Sequence, residues 1–400
     1  MEQTKRLAYL DWLRVIAIAG VLFFHSAMAF TEEKWHIKNS QQSSILFEFI
    51  TLLHRFRMPL LFFISGTVSY FMLQRRSGGS FIAVRFRRLF IPLVFGMLVI
   101  VPPQVYIERL TQGFKGNFWD FYPSIFTTGA YPKGNLSWHH LWFVLYLLVY
   151  DIICAPLFVW LISVRGKLFL QKFNWMTEGK WIYLLTIPSI FVYTFLSRCF
   201  PETNDLIHDY GYLPYWLFFL LAGFIFIANP AFMESLERNR RFSFGVAFTL
   251  LILINYVRWN DITPWQTIIP YKVDYRTYIY MAISCIIAWA WVFTAVGYGK
   301  KYLNRPHRSL QYLNQAVYPF YILHQTVIVV LMFYIIRTSD TILMKYLFTV
   351  IVTFFISMSI YHLFIKPYKV IRFLFGARQD KKPENVKLES PVLVSDAVIA

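Results

Sequence analysis

Ten apolar stretches, each long enough to cross a bilayer, limit what this chain can fold into. They run over residues 12–30, 47–73, 89–107, 139–163, 181–198, 211–229, 243–259, 276–297, 312–336 and 343–365. About 20 helical residues cover a hydrocarbon core of roughly 30 Å. Inside lipid the backbone must satisfy its own hydrogen bonds, which leaves helices or a closed barrel. Runs of this length without strict alternation are helical. The expected class is therefore all-α: a polytopic membrane protein of about ten transmembrane helices, with the lipid bilayer as its main partner. The composition agrees, with 57% hydrophobic and only 15% charged residues, where soluble domains carry about a quarter charged.

A formal net charge of +18 raises the question of nucleic acid. The distribution of the charge argues against it. Loops on one side hold Lys5 and Arg6, then Arg75, Arg76, Arg85, Arg87 and Arg88, then Arg165, Lys167, Lys172 and Lys180. Arg238, Arg240, Arg241, Lys300, Lys301, Arg305, Arg308 and the segment from Lys366 follow on the same side. The other side holds fewer, among them Lys34, Lys38, Arg109, Lys115, Lys133, Lys272 and Arg337. This is the positive-inside pattern, and it places both termini in the cytoplasm. No nucleic-acid partner is expected. Lys5, Arg6 and Ala27-Met28-Ala29 have the outline of a cleaved signal. Asp11 and Arg14 interrupt its apolar run, so it reads as a retained first span. Residues 1–375 form one membrane-embedded domain, and residues 376–400 a polar cytoplasmic tail expected to be disordered. Cys154, Cys199 and Cys285 are far apart and form neither a disulfide framework nor a metal spacing.

The first span carries ionisable residues where lipid disfavours them. Arg14 and His25 are eleven residues apart, which returns them to within roughly 20° of one helix face, about 16 Å apart along the axis. Asp11, three residues before Arg14, joins that face. Such groups usually face a polar interior and mark function. Other spans bring polar side chains to similar depth: His54, Arg55 and Arg57 on the second, His139, His140 and Asp151 on the fourth, His324 on the ninth. Each has a plainer explanation. Arg55 and Arg57 can snorkel to the interface, Asp151 can be a buried ion pair with one of these arginines, and His139-His140 can be a solvated helix end. Arg57, His140, His324 and Asp151 are the candidate substrate-binding residues. No pair of histidines sits at i, i+4 on a helix; a site drawn from three separate helices stays open on spacing alone, and no metal is expected. There is no nucleophile elbow, P-loop or dinucleotide fingerprint. A catalyst here is an acid–base one using histidine. Arg85 and Arg88 form a fork on one helical face, suited to phosphates, although Arg238–Arg241 and Arg305–Arg308 share the spacing.

The Arg14-x10-His25 pattern and Arg85-x-x-Arg88 resemble the signature of the acyltransferase 3 family. So does Phe56-Arg-Met-Pro59-Leu-Leu-Phe-Phe-Ile-Ser-Gly66, and Tyr318-Pro-Phe-Tyr-Ile-Leu-His324 is similar to a late block of that family. His140-Leu-Trp-Phe-Val-Leu-Tyr is closer to its branch of periplasmic-glucan succinyltransferases. The resemblance covers roughly residues 7–370. It implies a multi-pass enzyme of the inner membrane. Acyl-CoA would be the donor (acetyl or succinyl class), and a hydroxyl of an extracytoplasmic carbohydrate or glucan the acceptor. His25 and Arg14 would be catalytic, and Arg85 and Arg88 would hold the CoA phosphates. A transporter or flippase for a lipid-linked sugar is the competing class, because transporters also bury ionisable groups in helical bundles. The topology has a direct check. A reporter fused after residue 380 should report the cytoplasm and one inserted near Gly116 the outside; an external C-terminus would break the even span count.

Overall fold

The computed structural model describes residues 7–260, 262 and 275–377. Lys272 and the tail from residue 378 lie outside the described residues. All ten spans are present as helices. They are α1 Ala8–Phe30, α2 Ser44–Leu73, α3 Gly78–Thr111, α4 His139–Ile162, α5 Trp181–Cys199, α6 Tyr212–Ala228, α7 Pro230–Trp259, α8 Tyr275–Tyr302, α9 Arg308–Ile335 and α10 Ile342–Ile365. Among the described residues nine are long and apolar enough to cross a membrane, and α6, at 17 residues, is a shorter apolar helix. The chain is a multi-pass helical membrane protein.

Two helices begin well before the apolar runs that mark them. α3 starts at Gly78 and α7 at Pro230, so Arg85, Arg88, Arg238, Arg240 and Arg241 sit on helical extensions rather than in loops. Local chemistry sets these starts. The Ser77 hydroxyl accepts from the Ser80 N–H at 3.4 Å, and the Asn229 side chain accepts from the Ala231 N–H at 3.3 Å, each closing an otherwise open first turn. Pro230 fits the first helical position, where no N–H is needed.

Burial separates centre from periphery. The apolar windows of α1, α2 and α9 are 61%, 67% and 67% buried, against 22% for α7 and 28% for α10. α1 packs against α2, α8, α9 and α10. α7 and α10 instead expose large apolar side chains such as Phe248, Ile252, Ile351 and Phe355, as a lipid-facing surface requires. α2 and α6 approach most closely where two glycines interlock. A Cβ on Gly66 would lie 2.0 Å from the Leu220 carbonyl oxygen, and one on Gly223 1.8 Å from that of Phe63. Small residues allow such backbone contact between membrane helices.

α3 is interrupted on purpose at the depth of the site. Pro102 lacks an N–H, and the turn before it widens so that Val101 N–H donates to Gly96 O at 2.8 Å. The carbonyls freed there are taken by side chains. Tyr122 Oη donates to Leu98 O at 3.0 Å, and Thr326 Oγ1 on α9 donates to Ile100 O at 2.7 Å. Gln104 Nε2 then donates to Thr326 Oγ1 at 2.6 Å. This ties α3 to α9 two residues past His324.

The glycine contact gives a stability test. Gly223→Ala should lower the melting temperature or the folded yield in detergent, at a cost of about 1–3 kcal/mol or more from overpacking. Gly79→Ala, with nothing within 4 Å of its added Cβ, should leave both unchanged.

Candidate active site

Three histidines from three helices meet in the centre of the bundle. His324 Nε2 on α9 lies 3.1 Å from His25 Nδ1 on α1, and the rings stack with centroids 5.1 Å apart. His324 Nδ1 is 2.6 Å from the Tyr321 carbonyl oxygen of its own helix. His140 Nε2 on α4 is 3.0 Å from the Ile322 carbonyl oxygen, and its ring meets that of His324 edge-on at 5.3 Å. Tyr321 Oη in turn donates to the His140 carbonyl. His140 is buried, so the solvated-helix-end explanation does not hold for it.

The hydrogen bonds assign tautomers. A carbonyl accepts only, so His324 Nδ1 carries the proton. In the neutral ring His324 Nε2 then has the lone pair, and His25 Nδ1–H donates to it. His25 Nε2 is left with a free lone pair. The second imidazole thus sets the first one up as a base, as an orienting partner does for catalytic histidines in general.

Arg57 lies beside this group. It is 7% exposed, and its guanidinium stacks on the Phe24 ring at 3.4 Å from the centroid; that ring is 5.4 Å from the His25 ring. Its Nη1 is 3.4 Å from His54 Nδ1. Arg57 does not snorkel; it is held in the interior by a cation–π contact.

A cavity of about 810 Å³ opens at the end of the bundle that holds the start of α1. Among the described residues, Arg14, Arg75, Arg76, Arg85 and Arg88 line it, with Asp11 the one carboxylate among its walls. Its lining reaches Tyr321, whose ring is 5.7 Å from that of His324. Arg14 Nη1 donates to Asn314 Oδ1 at 2.8 Å and lies 3.8 Å from Asp11, while Asn314 Nδ2 donates to Asp11 at 2.7 Å. Arg14 therefore belongs to the cavity wall, separated from His25 by eleven residues of helix, about 16 Å.

Arg85 and Asp151 are brought together as a buried ion pair, with Arg85 at the cavity wall and Asp151 behind it. Asp151 is fully buried. It accepts from Ser69 Oγ at 2.7 Å and from the Arg85 guanidinium, and so joins α2, α3 and α4. The ion pair anticipated for Asp151 exists, with Arg85 rather than Arg55 or Arg57. Asp151 is not part of the cavity lining.

The structure also gathers residues that nothing in the sequence singled out. His36 pairs with Glu108, and Glu108 Oε1 accepts from Tyr131 Oη at 2.9 Å. Burial, with the Glu108 carboxylate beside it, pushes the Tyr131 phenol up to about 12, so it remains a donor at neutral pH. His36 Nε2 is 3.3 Å from Gln325 Nε2, next in sequence to His324. Positions 36, 108, 131 and 325 share no spacing that a linear reading can use.

Ten packed apolar helices around a histidine-bearing polar interior, entered through an arginine-rich mouth, define a membrane protein built to bring a polar ligand to buried side chains. Residues 7–362 match the acyltransferase domain of the Acyl_transf_3 family, and the chain belongs to that family. It is a membrane acyltransferase transferring groups other than aminoacyl groups, which decides against the transporter class. The chain is 24% identical over 401 aligned positions to glucans biosynthesis protein C of Escherichia coli O1:K1 / APEC, covering 96% of this chain and 97% of that protein. The protein of the same name from strain K12 / DH10B is also 24% identical, with the same coverage. No solved structure matches the chain significantly.

The Arg85–Asp151 pair can be tested directly. Asp151→Ala should destabilise the detergent-solubilised protein by about 3–5 kcal/mol, because it strands a buried guanidinium. Replacing both partners, Asp151→Leu with Arg85→Met, should recover most of the loss. Equal melting temperatures for wild type and the single variant would show that the pair contributes nothing.

Proposed function

We propose that the protein transfers an acyl group of the acetyl or succinyl class from cytoplasmic acyl-CoA to a hydroxyl of an extracytoplasmic carbohydrate, in the inner membrane. The observation that carries this reading is the alignment of an arginine-lined cavity with the His25–His324 pair beyond its inner end. Five guanidinium groups around one opening suit a polyphosphate donor. The size of CoA keeps its nucleotide at the mouth, while its narrow pantetheine arm reaches inward. Arg88 and Arg75 would hold phosphates, and Arg14, fixed by Asn314, would orient the arm. The relatives' name refers to glucans, which supports a glucan or similar carbohydrate as acceptor.

The chemistry follows from the tautomers. His25 Nε2 removes the acceptor's proton as the oxygen attacks the thioester carbonyl. The carbonyl π electrons move to oxygen, and the positive charge of Arg57 on the Phe24 ring favours that oxyanion. When the intermediate collapses, the C–S bond breaks and the thiolate takes the proton back from His25. His324 receives the Nδ1–H hydrogen bond throughout and stabilises the imidazolium. Atoms and protons balance: an ester and CoA thiol form from an alcohol and a thioester. His140, braced on the Ile322 carbonyl, positions α9 so that His324 meets His25.

Activity assays with purified protein should separate these roles. His25→Ala and His25→Gln should both lose about 10²–10⁴-fold in turnover, because Gln cannot accept a proton. His324→Ala should lower kcat by roughly 10²-fold through a misplaced base, with KM for the donor unchanged. Arg88→Gln should raise KM for acyl-CoA at constant kcat; it is a cleaner probe than Arg85→Gln, which also breaks the Asp151 pair. Activity should fall on the acid side as the imidazole is protonated. A fully active His25→Ala enzyme would remove the acid–base mechanism, and CoA release without any dependence on a carbohydrate acceptor would remove the proposed acceptor class.

A further inference from the structure

We infer that His36, Glu108 and His139 form a binding site for a divalent transition-metal cation, with zinc the best match. The site lies at the end of the bundle opposite the arginine-lined cavity. His36 comes from the segment after α1, Glu108 from the last turns of α3, and His139 from the first residue of α4. One ligand atom from each lies within 4.8 Å of the others. A tetrahedral site with bonds of about 2.0–2.1 Å needs ligand atoms roughly 3.3 Å apart, so small side-chain movements suffice. Two imidazoles and one carboxylate are a donor set that zinc takes, with a fourth position left for water or a hydroxyl.

Independent observations point to a missing ligand. His139 Nε2 is buried and has no hydrogen-bond partner, and a buried unsatisfied nitrogen calls for a cause such as an ion. Its other nitrogen is anchored: Nδ1 lies 3.1 Å from Ser137 Oγ, which directs Nε2 towards the cluster. His139 adopts φ 40°, uncommon for a residue with a side chain, and this bend brings its ring edge-on to that of His36 at 4.5 Å. The outer partners match what metal-binding residues need. Glu108 Oε1 accepts from Tyr131 Oη at 2.9 Å and from Gln112 Nε2 at 3.2 Å, leaving Oε2 on the cluster side with His36. Gln325 Oε1 is buried without a partner beside His36 Nε2. The bound ion would brace the segment after α1 against α3 and α4. It would sit one indole away from the catalytic centre: the Trp35 ring lies 4.8 Å from that of His36 and 5.3 Å from that of His25, tilted against both. The inference does not depend on the identity of the acyl donor or acceptor.

The test is binding without substrates. Full-length protein in detergent, stripped with a chelator, is titrated with zinc chloride by calorimetry and with cobalt(II) by visible absorption. The expected result is one zinc per chain and the intense visible bands of four-coordinate cobalt. His139→Ala and Glu108→Gln should each weaken zinc more than about 100-fold, beyond the 10–100-fold range of outer-shell changes, and Tyr131→Phe should fall within that range. Absence of saturable one-to-one binding by the wild type, or undiminished affinity in folded variants, overturns the site. If a variant does not fold, the wild type still decides. Zinc should protect His36 and His139 from diethyl pyrocarbonate, read by peptide mass spectrometry, and equal labelling with and without zinc rejects the inference.

Discussion

A buried charge inside a lipid-embedded bundle must find its partner within the protein, and the placement of the helices follows from that requirement. Asp151 has no exposed surface, and α2 and α3 supply Ser69 and Arg85 to its carboxylate. Between helices in lipid the hydrophobic effect offers little preference for one packing over another. Polar ties of this kind set which faces meet. With α2, α3 and α4 locked at this point, the interlock of Gly66 and Gly223 brings α6 against α2. Large apolar side chains of α7 and α10 are left to face lipid.

The same requirement explains why the polar interior gathers on α9. The widened turn before Pro102 frees carbonyls on α3; Thr326 and Tyr122 donate to two of them, and Gln104 donates in turn to the Thr326 hydroxyl. His140 is braced on the Ile322 carbonyl and Tyr321 on the His140 carbonyl. The segment from Tyr321 to Thr326 therefore has little freedom to shift or rotate, and His324 sits within it. Precision at His25 is inherited from this segment, because an orienting hydrogen bond is useful only if its acceptor does not move.

Charge is divided between the two ends of the site. The arginines concentrate at the mouth beside the start of α1, where Asn314 and Asp11 hold Arg14 in place. The opposite end carries a carboxylate with two imidazoles, His36, Glu108 and His139. A polyanionic donor and a neutral hydroxylic acceptor approaching from opposite ends would each meet matching chemistry. The histidines between them can take and return a proton without net charge transfer. Arg57 departs from this division. It is a buried cation held by an aromatic face, and its position next to the His25 imidazole would suit charge that develops only during reaction.

Much of the architecture was legible from residue order alone. Hydrophobic length depends only on contiguous residues, so ten spans could be read directly. Helix starts were less legible. The extensions to Gly78 and Pro230 depend on caps at Ser77 and Asn229 rather than on hydropathy. His25, Arg57, His140 and His324 stood out because polar groups are costly at depth. Which of them touch, and through which nitrogen, was decided by helix packing. The sequence pointed to Arg85 as a phosphate ligand; packing pairs its guanidinium with Asp151, 66 positions away, a partner that the spacing could not name, and leaves Arg85 in the cavity wall. His36, Glu108 and His139 carry no periodic signal, because they come from separate segments at a helix-bundle end. The sequence by itself determined the class, the span count and the inventory of buried polar groups. The tertiary structure decided their pairings, because contacts between helices follow from side-chain complementarity across segments that are distant along the chain.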